Sequence, residues 1–497
     1  NDNTLGPTLT KLTSTLCDEA FHFEQWLTSP YMPTPTIIEA AQALYRGHDV
    51  KEISRSDAGA YNLSLTTKAL NRIIEQSKQH HEKSICFVTG VPGAGKTLVG
   101  LNIANERHQY DEQEHAVFLS GNGPLVAVLR EALARDEIKR FKGKITKTAS
   151  KRKVAAFIQN IHHFRDAYLP PSEQVPAEKV AIFDEAQRAW TKEQTAKFML
   201  KRHVPGWNMS EPEFLISVMD RHQDWTVIIC LIGGGQEIHT GEAGLLAWFD
   251  ALRDHFPDWN VYVSPQISDV EYTHGKPLEH LFTGLRLYRE PNLHLSVSLR
   301  SFRNERVSAF VKSLLDENLP VAQQLYSELS PNYPITITRS LEKAQEWIRA
   351  QARGTERYGL IASSGAKRLR QFGIWVQSNI QAENWFLNDK EDIRSSYFLE
   401  DTATEFDIQG LEIDWAIVAW DADYRIEKGH FKAYNFTGSS WKTVCKKDAQ
   451  LYLKNTYRVL LTRARQGFVI FIPEGCDADL TRQSSFYDCL LYTSDAA

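Results

Sequence analysis

The chemistry of this chain is concentrated in eight residues, Gly90-Val91-Pro92-Gly93-Ala94-Gly95-Lys96-Thr97, a complete G-x-x-x-x-G-K-[ST]. Glycines let such a loop turn consecutive backbone N–H groups inward, and a following helix adds the partial positive charge of its N-terminus. Lys96 can then reach the β- and γ-phosphates, and the Thr97 hydroxyl can ligate Mg²⁺. The run implies that a nucleoside triphosphate is bound. Asp184 and Glu185 follow four apolar residues, 180–183, where a second Mg²⁺-organising carboxylate belongs. Asp184 would hold the metal through its water shell, and Glu185 would orient and deprotonate the attacking water. Two adjacent acids at the end of a buried strand have little packing rationale. Gln236 ends a third apolar run, 226–232, after Gly233-Gly234-Gly235, and suits sensing of the γ-phosphate.

These residues need elements to hold them. The run 85–88 is rich in β-branched and aromatic residues and reads as a fully buried strand. Leu98, Val99, Leu101, Ile103 and Ala104 have the spacing of a helix that buries most of one side. Strand, loop and helix then recur to about residue 320, with strands expected at 116–120, 180–183, 226–232 and 293–299 and a helix over 157–164. Between them Lys139, Arg140, Lys142, Lys144, Lys147, Lys151, Arg152 and Lys153 form a basic stretch that reads as a solvated, mobile loop rather than a surface tracking phosphates. A second α/β unit begins near Tyr333, with strands at 335–337, 358–362, 415–420 and 468–472 and helices over 341–352 and 452–461. Residues 421–449 form a polar, aromatic-containing insertion within it. Residues 1–83 look mostly helical, with helices expected over 37–45 and 66–79.

With 497 residues, 42% of them hydrophobic, the chain can bury two or three domain cores. Its net charge of −5 means that any nucleic-acid contact must use local basic patches. No run of about 18 uncharged apolar residues exists to span a membrane. Six scattered cysteines without metal-ligand spacing, and no secretory signal, suggest a reducing cytoplasm. The chain starts at Asn1, so residues 1–83 read as an accessory segment or the remnant of an upstream domain. Residues 489–497 resemble a translated transposase adapter of the kind used to build sequencing libraries, and the native sequence is expected to end near Asp488.

Seven stretches in order, TGVPGAGKT, LSGNGPL, FDEAQRAW, IGGGQEIHTGEAG, SLRSFR, ATEFDIQGLEIDW and YRVLLTRARQGFVIFIP, resemble superfamily I DNA/RNA helicases. The chain looks most like the Schlafen group 3-like helicase domain of bacterial proteins, over about 80–475. The resemblance implies an α/β fold of two RecA-like P-loop NTPase domains with parallel sheets, 84–325 and 326–488, with ATP between them. It implies that Gln187 couples nucleotide state to a bound strand, and that Gly410 and Glu412 approach the nucleotide from the second domain. Arg300 and Arg463 would be arginine fingers, whose fixed fork suits charge spread over a transferring phosphoryl group. The segment 65–70, LTTKAL, carries no glutamine to read adenine, which leaves ATP against GTP open. The expectation is a Mg²⁺- and ATP-dependent motor acting on single-stranded DNA or RNA, with a nuclease domain or subunit as a conceivable companion. The rival is a regulatory P-loop NTPase switch that controls a nuclease or partner protein without translocation.

Overall fold

The computed structural model describes residues 35–48, 53, 57–91, 93–110, 115–233, 244–268, 282–297 and 302–496. Eight strands form the first sheet: β1 (Lys83–Gly90), β2 (Ala116–Ser120), β3 (Ile158–Asn160), β4 (Val180–Asp184), β5 (Thr226–Leu231), β6 (Asn260–Val263), β7 (Arg286–Arg289) and β8 (His294–Leu295). Their order is β3-β2-β4-β5-β1-β6-β7, with β8 on the far end of β1, and the pairings are parallel.

A sheet covered on both faces needs apolar side chains at every position, which is why its central strands read as unbroken apolar runs. Ile85 and Phe87 of β1 enter one core with Phe183, Cys230 and Trp248. Cys86 and Val88 point the other way, into a core that holds Val99, Ile103, Phe118 and Leu129. That second core continues into Ile361, Ala403, Ala416 and Val418 of the second sheet. Pro35–Ala497 accordingly pack as one compact unit.

The second sheet contains β9 (Ile335–Thr338), β10 (Tyr358–Ala362), β11 (Thr402–Thr404), β12 (Ile413–Ala419) and, after a three-stranded antiparallel insertion β13 (Tyr424–Glu427), β14 (His430–Thr437) and β15 (Ser440–Thr443), the last strand β16 (Ala464–Phe471). Its order is β11-β10-β12-β16-β9, all parallel. The fold is thus α/β with two parallel sheets, and the described part of the N-terminal region is helical at Ile37–Tyr45 and Asp57–His80. No described helix is long and apolar enough to cross a membrane.

Three expectations need correction. The basic stretch is an exposed turn only at 141–146, which holds Lys142 and Lys144; Lys147–Phe157 is a helix whose lysines face buried acids of the helix Gly123–Arg140. Lys147 and Lys151 lie 2.7 and 2.6 Å from Glu131, and Lys153 lies 2.9 Å from Glu137. The expected helix over 157–164 is instead the end of that helix, strand β3 and the start of the helix Ile161–Ala167, because Ile158–Asn160 pairs with β2. The expected strand over 293–299 reduces to β8 at His294–Leu295, with 298–299 outside the described residues.

Candidate active site

Parallel strands deliver their following loops to one edge of a sheet, and ligands of α/β folds bind there. Here the loops after β1, β2, β4 and β5 meet at that edge. The loop after β1 turns on Gly93 and Gly95, whose φ of +77° and +87° would strain any side chain. Leu295 of β8 accepts the Val91 N–H at 3.0 Å, fixing the loop from the neighbouring strand. Lys96 Nζ folds over the loop and donates to the carbonyls of Gly90 at 2.8 Å and Val91 at 3.2 Å. An ammonium resting on neutral carbonyls can be drawn off by an anionic acceptor, which binds it more strongly. Thr97, near the start of the helix Lys96–Tyr110, donates its hydroxyl to Asp184 Oδ1 at 3.2 Å.

Asp184 ends β4 and is buried. Burial, and then the neighbouring Glu185, push its carboxyl above the usual range, against Thr97, Lys96 and Arg188, which pull it down. A cation at this carboxylate would relieve both raising effects. Thr97 Oγ1 and Asp184 Oδ1 are therefore the pair that could hold Mg²⁺. Among the described residues no three of His, Cys, Asp and Glu converge as a metal cage. Mg²⁺ fits this arrangement, because it commonly takes one or two protein ligands and completes its shell with water and phosphate oxygens.

Glu185 has φ 52° and ψ 46°, a left-handed conformation at the head of the short turn Ala186–Arg188. The turn is overdetermined by its surroundings. Trp248 Nε1 donates to Ala186 O at 2.9 Å, and Gly244 N–H donates to Gln187 O at 3.0 Å. Gln187 is buried, accepts the Gly233 N–H at 3.0 Å and donates its amide to Glu185 Oε2. A Cβ at residue 233 would sit 2.5 Å from that same carboxylate oxygen, so a side chain there would have to displace the Glu185 carboxylate. Gln187 thus reads both ends of the loop that follows β5.

The second sheet reaches this edge through Gln409 and Gly410. They follow the short helix Glu405–Ile408, whose start is held by Thr404 donating to Asp407 from N–H at 2.8 Å and hydroxyl at 2.7 Å. Arg188 Nη1 donates to Gln409 Oε1 at 2.6 Å, and Asn122 Nδ2 donates to Gln409 O. A cavity of about 300 Å³ opens here, its lining including Thr97, Asp184, Glu185, Arg188, Gln409 and Gly410.

The expected residues divide into three groups. Lys96, Thr97, Asp184, Glu185 and Gln187 come together on the first sheet, with Gly90, Val91, Gly93, Ala94 and Gly95 forming the loop. Gly410, at φ +76°, meets them from the second sheet. Glu412 is half-buried just ahead of β12. Arg463 is buried at the junction of the helix Lys447–Leu461 and β16, where its Nε donates to Val459 O at 3.3 Å, and it does not line the cavity. Pro92, Gln236 and Arg300 lie outside the described residues. Arg188, Gln409 and Asn122 were missed as individual residues, although all three lie inside stretches whose order carried the resemblance; only their contacts single them out.

The family model described as Schlafen group 3, DNA/RNA helicase domain, matches residues 83–474. Comparison with curated proteins gives no match. Among solved structures the chain is similar to the DUF1998 helicase MrfA bound to DNA and AMPPNP, at 11% identity and a TM-score of 0.31, covering 93% of this chain and 54% of that one. It is similar to MrfA bound to DNA, at 12% identity and a TM-score of 0.33, covering 93% and 51%. It is also similar to the Pyrococcus furiosus Hef helicase domain, at 11% identity and a TM-score of 0.27, covering 82% and 95%. The chain spans about half the length of the MrfA chains it matches.

Proposed function

The chain belongs to the Schlafen group 3 DNA/RNA helicase domain family, and from that premise we propose that it is an ATP-dependent motor of the superfamily I kind, moving along single-stranded DNA or RNA. The observation that carries this reading is the convergence at one edge of Lys96, the Thr97–Asp184 pair and Glu185, with Gln409 and Gly410 of the second sheet closing over them.

On this reading Lys96 leaves the carbonyls of Gly90 and Val91 for the terminal phosphates, and backbone N–H groups among residues 93–97 cradle the rest. Thr97 and Asp184 would hold Mg²⁺, which when bound offsets charge on the phosphate oxygens. Glu185 takes the proton of the attacking water, its carboxylate held in place by Gln187 and by the rigid turn beneath it. Gln236 would sense the γ-phosphate, Glu412 would approach the nucleotide, and Arg300 would supply positive charge late in the transfer, a role Arg463 could share only by leaving its buried place against Val459. Residues 84–325 and 326–488 would then act as two domains that open and close with each turnover.

The test is steady-state ATP turnover with and without homopolymer DNA and RNA, repeated across a salt series. A motor couples strand binding to hydrolysis, so at least one polymer should raise the rate. At subsaturating strand the stimulation should weaken steeply with salt, because phosphate contacts release counterions. A rate indifferent to every polymer would instead favour a regulatory NTPase switch.

A further inference from the structure

The turn that carries Glu185 has two sets of connections. Through Gln187 it is tied to Gly233 and Gly244, at the two ends of the loop after β5. Through Arg188 it is tied to the other sheet. We infer that Arg188 and Gln409 form a latch by which closure of the second sheet over the first positions the acids Asp184 and Glu185.

Three observations carry this. Gln409 is a single buried residue gripped at both its backbone and its side chain by loops of the first sheet, its carbonyl by Asn122 and its side-chain oxygen by Arg188 at 2.6 Å. Asn122 is itself oriented, because its Oδ1 accepts the Leu125 N–H at 3.2 Å and caps the helix Gly123–Arg140, leaving its amide N–H to face Gln409. Arg188 also donates its backbone N–H to Glu185 O at 2.9 Å, so the guanidinium and the base share one rigid turn.

The acceptor on the second sheet is an uncharged amide. A carboxylate there would neutralise Arg188; an amide orients the guanidinium and leaves its charge to act on the acids and on an anionic phosphoryl group. Arg188 is thus a positioning residue whose fork is aimed by the partner sheet. When the sheets separate, Gln409 withdraws, and the guanidinium loses the acceptor that aims it. Other contacts join the sheets at a distance from this edge: Arg135 reaches Leu387 O at 3.1 Å and Asn388 Oδ1 at 2.8 Å, and Glu317 accepts the Phe431 N–H at 2.7 Å. Loss of the latch should therefore change coupling without separating the sheets.

The consequence for turnover rests on the motor reading, whereas the latch itself can be read without hydrolysis. The experiment is a double-mutant cycle on Arg188→Met and Gln409→Leu in the full chain, with Gln409→Glu as the charged isostere. Turnover is measured with and without single strand, alongside amide hydrogen exchange of residues 185–189 and 409–411. Each single variant should lower kcat about tenfold, within the range usual for coupled sites. KM for ATP should move by less than about threefold, and the double variant should be within about twofold of the worse single. Gln409→Glu keeps an acceptor at the same atom but neutralises Arg188, so it should keep both segments protected from exchange without restoring the rate. In exchange, either single variant should loosen both segments. A chain without turnover would sink the motor reading, and the exchange arm would still decide the latch. Additive losses in the cycle, or exchange that rises only around the substituted residue, would overturn it.

Discussion

Glu185 occupies a left-handed backbone conformation that costs a non-glycine residue on the order of 1–3 kcal/mol. The surrounding bonds from Trp248, Gly244 and Gln187 hold it there. A carboxylate kept at that cost beside Asp184, and not replaced by the glycine the backbone would prefer, fits a chemical role better than a packing one. Glu185→Gln preserves size and the partner of Gln187 but cannot accept a proton, so ATP turnover should fall roughly 10²–10⁴-fold. Nucleotide binding should persist, and parental turnover in the variant would place the base elsewhere. Lys96→Ala acts on binding instead. It removes the ammonium that rests on Gly90 and Val91, and each hydrogen bond to a charged group is worth roughly 1.5–3 kcal/mol. Affinity for Mg-ATP by calorimetry should drop about tenfold or more, and an unchanged affinity in a folded variant would refute the phosphate loop. These residues were legible in the sequence because their spacing is local: eight consecutive positions define the loop, and four apolar residues define the strand that ends in Asp184. Arg188 and Gln409 were not legible as a pair, because 221 positions separate them and neither has an unusual local setting.

At the scale of elements, β1, β2, β4, β5, β9, β10, β12 and β16 were read from the sequence to within a few residues at each end, most of them because burial on two faces leaves an unbroken apolar signature, whereas the short strands β3, β6, β7 and β11 were not read as strands. The basic stretch was misread for the converse reason. Its eight cations all look solvated, yet Arg140, Lys147, Lys151 and Lys153 pair with acids of the helix Gly123–Arg140, where Glu131, Asp136 and Glu137 are buried. Glu131 is the hub, within 2.8 Å of Arg135, Lys147 and Lys151. Burial works to raise its pKa, and hydrogen bonds from Lys147, Lys151 and Arg135 overcome this and hold it down at about 2. A carboxyl whose folded pKa lies below its ordinary 4.5 contributes stability above that value and loses it as pH falls toward 2. The cations are half-exposed and can return to water, so Glu131→Gln should cost only about 1–3 kcal/mol at pH 7. Urea denaturation should find this difference shrinking below pH 4.5 and in high salt. A pH-independent deficit would mean that shape, not charge, holds the two helices together.

The molecule as a whole carries an opposite pH dependence in its second sheet. Asp421, Asp423 and Glu405 are all buried at or just beyond the carboxyl ends of β11 and β12, and Asp423 is served by hydroxyls: Ser363 at 2.6 Å and Tyr457 at 2.5 Å. Burial, and then the nearby Asp421, push Asp423 up to about 7, further than the hydroxyls pull it down. Between its ordinary 3.8 and about 7 the folded chain therefore holds a proton that the unfolded chain has released. Stability must fall as pH rises through that window and level off above it, by an amount on the order of a few kcal/mol. Because one core runs from the first sheet into the second, this loss should be felt by the whole fold and not by one half of it. Asp423→Asn cannot ionise, and its amide still accepts from one hydroxyl while donating to the other. Urea midpoints at pH 5.5, 7 and 8.5 should decline for the parent and stay nearly flat for the variant, with the variant the more stable at pH 8.5. Parallel curves for the two proteins would mean that Asp423 is ionised in the fold across the range, and that its hydroxyl partners suffice to hold the charge.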